Sequence, residues 1–223
     1  RGLATATIAV EETVRFQFSH GVSRLPAVRI VDGTPISAGC RMVKDAHEIA
    51  LMRHASKVTW HAYEAAWKSL KEGMTQSDFA QLVALAHTQL GYSGGAGVQV
   101  GKYSALPHGS ATPQTVREGS ILLIDGGCKV EGYSSDLSRT FVLGQPTQRM
   151  KDVYEVELRA QSVALAAARP GVACEVVDAA ARKVIVDAGF GPDYTFFSHR
   201  VGHGMGMDGH EWPYLVRGNK LPL

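Results

Sequence analysis

The sequence predicts an α+β fold, with helices packed on a mostly antiparallel sheet. Three features carry that expectation. Long amphipathic helical patterns run from residue 45 and again from residue 147. Short β-branched runs lie between them, the strongest being SILLIDGG and YSSDLSRTFVLG. The helical blocks also repeat. Gly73 to Gly91 and Gly171 to Gly189 each span eighteen residues, offset by 98, and EGMTQSDFAQLVALAHTQLGY aligns with PGVACEVVDAAARKVIVDAGF. Each copy follows a long helix and precedes a strand leading to a histidine, His108 in one and His199 or His203 in the other. Two such units imply a pseudo-two-fold domain whose shared site lies at the join.

The elements follow in order. Residues 1–44 read as the last strands of an N-terminal domain: ATATIAVEETVRFQFSHG and LPAVRIVDG as strands, a turn at Asp32-Gly33, and TPISAGC as a connecting stretch. From Asp45 a helix places Met52, Ala55, Thr59, Ala62, Tyr63, Ala66 and Leu70 on one stripe, with Gly73 as its terminator. Thr75-Gln-Ser-Asp78 resembles a capping box with Asp in place of Glu, opening a helix to Leu90 and Gly91. Strands are expected at GVQVG and along the 121–142 hairpin. Two helices follow Pro146, and TFFSHRVGHGMG reads as strand and then glycine-rich loop. The domains expected are a remnant at 1–44 and a catalytic domain at 45–223.

Composition excludes several classes. Of 223 residues, 45% are hydrophobic and 20% charged, with a net charge of +2, so nothing electrostatic asks for nucleic acid or an anionic membrane. No run approaches the ~20 apolar residues of a membrane span, and no secretory signal pattern opens the chain. Arg1 opens the chain without an initiator Met, which suggests a piece of a longer protein. Cys40, Cys128 and Cys174 are odd in number and show no CxxC spacing, as expected of a reducing, cytoplasmic compartment. Cys128, three residues after Asp125, reads as a small buried residue rather than a catalytic thiol.

The chemistry concentrates in SHRVGHGMGMDGHEWP, residues 198–213, which sets His199, His203 and His210 among glycines 202, 204, 206 and 209. Positions without side chains let a metal or a substrate approach the main chain. His203 is the best nitrogen ligand because Gly202 and Gly204 clear both sides of it. His199 and His210 suit hydrogen bonding to a substrate carbonyl, or to the oxyanion that forms there. His108, in LPHGSATP, is a loop histidine of the kind that carries function. Asp125 ends the buried run ILLI, and Asp136 lies in the next run. A hairpin turning through residues 129–132 is expected to set them face to face, about 4.5–5.5 Å apart at Cβ. Two carboxylates that close need a counter-charge, which divalent cations supply.

Other patterns fail. His47-Glu48 and His210-Glu211 lack the second zincin histidine, since Leu51 and Tyr214 stand in its place. GYSGGAG leads into a strand, not the helix a dinucleotide fingerprint requires. Trp60 and Trp67 read as packing residues. His54, His61 and His87 read as ordinary, partly exposed helix residues.

Together, VKDAHEIALMRHAS, ALPHGSATP, LLIDGGCKVEGYSSDLSRTF and HRVGHGMGMDGHEWP resemble the pita-bread metallopeptidases of the M24 type, a group that includes aminopeptidase P, prolidase, methionine aminopeptidase and the creatinase-like enzymes. The entry segment VKDAHEI after remnants of another domain is similar to the proline-specific branch. The resemblance implies helices on a curved, mostly antiparallel sheet. It also implies two divalent metal ions (Mn, Co, Zn or Fe, with Mn favoured) held by two Asp, one His and two Glu. Asp125, Asp136 and His203 match three of those ligands, and His108, His199 and His210 match the family's catalytic histidines. The two glutamates are expected after Leu223 with the last strands of the domain, since Glu211 is not at a ligand position.

On this resemblance the intact protein is expected to be a homodimeric peptidase. It would take short peptides with proline at the second position and cleave the Xaa-Pro bond through a hydroxide bridging the two metals. The alternatives are a creatinase-like enzyme, a methionine aminopeptidase, or a non-catalytic peptide-binding module of the same fold.

Overall fold

The computed structural model describes residues 5–106 and 108–223. Residues 1–4, which include the start of the expected first strand, and Pro107, in the loop of His108, lie outside the described residues. The chain divides into two compact units, Arg1–Lys44 and Asp45–Leu223.

The first unit is a parallel β-α-β crossover rather than a set of strands. Strands β1 (Ala6–Val10) and β2 (Val28–Asp32) pair in parallel, Ala6 with Val28. A parallel pair needs a crossover, and helix α1 (Phe16–Ser23) supplies it. FQFSHG was expected as the end of a strand on partial alternation. That alternation does not mark a buried sheet face, because Phe16 is 77% exposed and Phe18 is 60% exposed. Phe16 instead stacks on His20, its helical neighbour one turn on, at 5.3 Å. TPISAGC is likewise helical, as α2 (Thr34–Arg41), with its proline in the first turn, where a missing N–H costs nothing.

In the second unit, helix α3 (Ala46–Lys68) begins with a capping box. Asp45 accepts from the Glu48 amide at 2.8 Å, and Glu48 accepts from the Asp45 amide at 2.7 Å. Ala55, Val58, Thr59, Ala62, Tyr63 and Ala66 form its buried stripe. The helix ends at Lys68, before the expected terminator. Gly73 instead closes the connection that follows, its N–H bonded to the Val116 carbonyl at 2.9 Å. Helix α4 (Gln76–Gln89) opens with the Thr75–Asp78 box. Strand β4 (Ile121–Val130) lies between β3 (Gly94–Val100) on one side and β5 (Tyr133–Ser134) and β6 (Leu137–Val142) on the other, all antiparallel. Leu122 and Ile124 face inward and join Tyr63, Phe79, Val83, Val98 and Val116 in the core. Each fully buried side chain of this size contributes about 1.5–3 kcal/mol. The odd-numbered residues of β4, Asp125 among them, take the opposite face.

The repeat holds in three dimensions. After α5 (Gln148–Ala167), helix α6 (Cys174–Asp187) has the same length as α4, fourteen residues, at the offset of the sequence repeat. Val116 bonds to the Gly73–Met74 corner, its N–H reaching Met74 O at 2.8 Å. Leu223 repeats this at Gly171–Val172, with bonds of 2.7 and 2.9 Å. The bridges Thr75–Thr115 and Ala173–Pro222 also correspond. The strand expected at the start of TFFSHRVGHGMG does not form, since residues 195–201 are irregular, and the strand lies instead in the stretch expected as glycine-rich loop. Only β7 (Gly202–Gly204) is strand, paired with β8 (Glu211–Leu215). The carbonyls of Phe197 and His199 are bonded by Arg182 instead of by a neighbouring strand.

Candidate metal centre

The two aspartates sit on one hairpin, but not opposite each other. Glu131 (φ 47°) and Gly132 (φ 88°) form a two-residue turn with both central φ values positive, which suits the twist of the flanking strands. That turn sets Val130 against Tyr133, Lys129 against Ser134 and Asp125 against Ser138. Asp136 itself lies in the break between β5 and β6, and the register on either side of the break runs past Gly127, so the expectation that it faces Asp125 is corrected: Asp125 faces Ser138, and Asp136 sits nearer the turn. Gly127 is required at this point, because a Cβ there would lie 2.1 Å from the Ser135 carbonyl oxygen. Asp125 accepts a 2.5 Å hydrogen bond from Ser138 Oγ.

The histidine run is brought to this face by two bonds. The Ser134 amide donates to Gly206 O at 2.7 Å, and Lys129 Nζ donates to Met207 O at 2.7 Å. The β7–β8 ladder is irregular between His203 and Gly204. A Cβ on Gly204 would lie 2.3 Å from Trp212 O, so the close approach of the two strands requires glycine. His203 Nδ1 lies 2.9 Å from the Gly204 carbonyl, which can only accept, so Nδ1 carries the proton. In the neutral ring the lone pair is then on Nε2, which lies 3.4 Å from Asp136 Oδ2. The His210 ring is 4.0 Å from that of His203, centre to centre.

Asp136, His203 and His210 each offer a ligand atom, all within 4.8 Å of one another. Two imidazoles and a carboxylate suit a borderline divalent cation such as Zn, Fe, Co or Mn. A backbone carbonyl that fixes the tautomer is the usual partner of a ligating histidine. The residues present therefore fit a metal. Burial pushes the Asp136 carboxyl above its ordinary range, and the Asp125 charge adds to this, while His203 and His210 oppose it. Asp125 thus stands beside the trio electrostatically without belonging to it. His108 is exposed in the loop after a short 3-10 turn (Gly101–Ala105), and His199 is exposed with its Nδ1 2.7 Å from Arg200 O. Neither joins the three-residue group. Glu211 is buried and accepts from the Asp208 amide at 3.0 Å, which shapes the loop that carries His210.

One residue of the surroundings differs from expectation. His87 is fully buried, not partly exposed. Its Nδ1 donates to Val83 O at 2.8 Å, so Nε2 accepts from Thr59 Oγ1 at 3.3 Å. Thr59 in turn accepts from Ser135 Oγ at 2.8 Å, and Ser135 Oγ accepts from the Cys128 amide at 3.0 Å. This chain pins the hairpin one residue before Asp136. The signal was present in the sequence, since His87 follows Phe79 and Val83 on the buried stripe of α4. His54 and His61 are exposed on α3.

The comparisons with known proteins place the chain in a metallopeptidase family. Residues 50–223 match the profile of metallopeptidase family M24, and the chain belongs to that family. It is 37% identical over 190 residues to a Xaa-Pro dipeptidase of Lactobacillus delbrueckii subsp. lactis, covering 83% of this chain and 51% of the relative. The crystal structure of dipeptidase PepE from Mycobacterium ulcerans superposes with a TM-score of 0.90 at 33% identity, covering 98% of this chain and 59% of that one. The X-Pro aminopeptidase of Thermotoga maritima gives a TM-score of 0.82 at 32% identity, over 97% of this chain and 62% of that one. The fold is the pita-bread fold of these structures. The chain spans about half the length of the curated relatives it matches.

Proposed function

We propose that the protein carrying this chain is a metal-dependent peptidase that hydrolyses the bond between an N-terminal residue and proline. The observation that carries this reading is the Asp136–His203–His210 group, whose ligand atoms lie within 4.8 Å of one another, with His203 Nε2 3.4 Å from Asp136 Oδ2. It is supported by relatives named Xaa-Pro dipeptidase and X-Pro aminopeptidase. Asp136 and His203 would hold metal, with Asp125 beside them as a further ligand. Two divalent cations, when bound, supply a hydroxide nucleophile at neutral pH and neutralise charge at the scissile carbonyl.

The chain's own residues do the rest. His210, against His203, donates a hydrogen bond to the oxygen that becomes negative. His199 steadies the substrate carbonyl, and His108 positions the proline side or moves a proton. A Xaa-Pro amide nitrogen has no N–H, so recognition falls on the ring and on the neighbouring carbonyls. The test is chelation followed by Mn2+ re-addition, scored on a panel of Ala-Pro, Ala-Pro-Ala, Met-Ala-Ser and creatine. Metal-dependent cleavage of the proline substrates alone is expected. Cleavage of Met-Ala-Ser or creatine instead would move the chain to another branch of the family. No cleavage together with no metal uptake would leave only a binding module.

A further inference from the structure

Arg182, on α6, is 4% exposed and Asp178, one turn before it, is 1% exposed. The guanidinium grips the carboxylate with two bonds, Nε to Oδ2 at 2.8 Å and Nη2 to Oδ1 at 3.1 Å. Its other donors leave the helix. Nη1 bonds the Phe197 carbonyl at 2.6 Å, and Nη2 bonds the His199 carbonyl. The Tyr194 ring lies 3.6 Å from the guanidinium carbon and the Phe197 ring 4.5 Å from it.

A buried ion pair is a poor device for stability alone, because desolvation can exceed the Coulombic gain and an apolar pair of similar volume packs as well. What the planar fork adds is direction. It fixes two carbonyls of the irregular segment that ends at His199, and Asp178 fixes the fork. His199 Nδ1 donates to Arg200 O at 2.7 Å. Nε2 is therefore the ring nitrogen left to meet a ligand, and the backbone at 199–200 decides where it points.

We infer that Arg182, held by Asp178, is a positioning residue that aims His199 Nε2 at the substrate. The substrate half of this inference rests on the peptidase reading above. The positioning half does not.

Arg182→Lys keeps the charge and loses the fork. It should lower kcat on Ala-Pro by about 10- to 100-fold, the loss a small misplacement of a helper brings, with Mn2+ affinity unchanged. In a His199→Ala background the same change should cost nothing further. Imidazole 15N shifts of neutral His199 should report the Nδ1-protonated tautomer in the parent protein, and an average of both tautomers in Arg182→Lys. An equal loss in both backgrounds, or a His199 tautomer indifferent to the change, would overturn the inference. If the parent cleaves no Ala-Pro, the peptidase reading fails and the tautomer measurement alone decides this one. If Arg182→Lys does not fold, Asp178→Asn, which frees the fork, takes its place in every arm.

Discussion

At the residue scale, a backbone hydrogen bond orients His203, whereas His210 is placed by its ring contact with His203. His203 directs its Nδ1 proton to the Gly204 carbonyl, which leaves the Nε2 lone pair, beside Asp136, for a cation. His203→Ala should abolish Mn2+ binding, whereas His210→Ala should leave binding intact and lower kcat by about 10²-fold, measured by calorimetry and steady-state kinetics. Asp136 gives a pH prediction. Its carboxyl is raised in the folded state, so the fold binds that proton more tightly than the unfolded chain does. Stability is therefore fully present below the unfolded value and lost as pH rises through the folded one. Metal-free Asp136→Asn should gain stability relative to the parent on going from pH 4 to pH 7, read by thermal melting. Thr59→Val, which removes the hydroxyl between His87 and Ser135, should cost about 1–3 kcal/mol in a denaturant titration. Asp136, His203 and His210 were legible because glycines and paired acids mark them. The buried state of His87 was hidden, because a histidine on a helix reads as polar until the whole stripe is weighed.

At the element scale, local rules located the helices of the second unit and failed in the first. The two boxes, Asp45–Glu48 and Thr75–Asp78, start α3 and α4 as their sequences suggest. Thr75→Ala should lower stability by about 1 kcal/mol, seen as a fall in Tm. The first unit misled because Phe16 and Phe18 alternate like strand residues yet lie on an exposed helix. Proline in the first turn of α2 was the overlooked signal there. The hairpin was legible as an element but not in register. The two-residue turn at Glu131-Gly132 sets Ser138 opposite Asp125 and leaves Asp136 nearer the turn. Gly204→Ala should separate β7 from β8 and weaken Mn2+ binding with helix content unchanged, checked by calorimetry and far-ultraviolet dichroism.

At the scale of the whole molecule, the 98-residue repeat is the organising fact. Both copies dock the same helix corner on an extended segment, through Val116 in one and Leu223 in the other. The first copy supplies the aspartate hairpin and the second supplies the histidine run, so the candidate site belongs to neither half alone. Bonds from Ser134 to Gly206 and from Lys129 to Met207 join them. The α+β class and the join were legible, since spacing survives folding. The offset of Asp136 from Asp125 and the irregular path before His203 were not, since both depend on contacts between distant segments. The most direct measurement is a Mn2+ titration of the chelated full-length protein that carries this chain, with His203→Ala and the exposed His61→Ala alongside. Saturable binding in the parent and in His61→Ala, lost in His203→Ala, is the result this account requires. Equal binding by all three would contradict it.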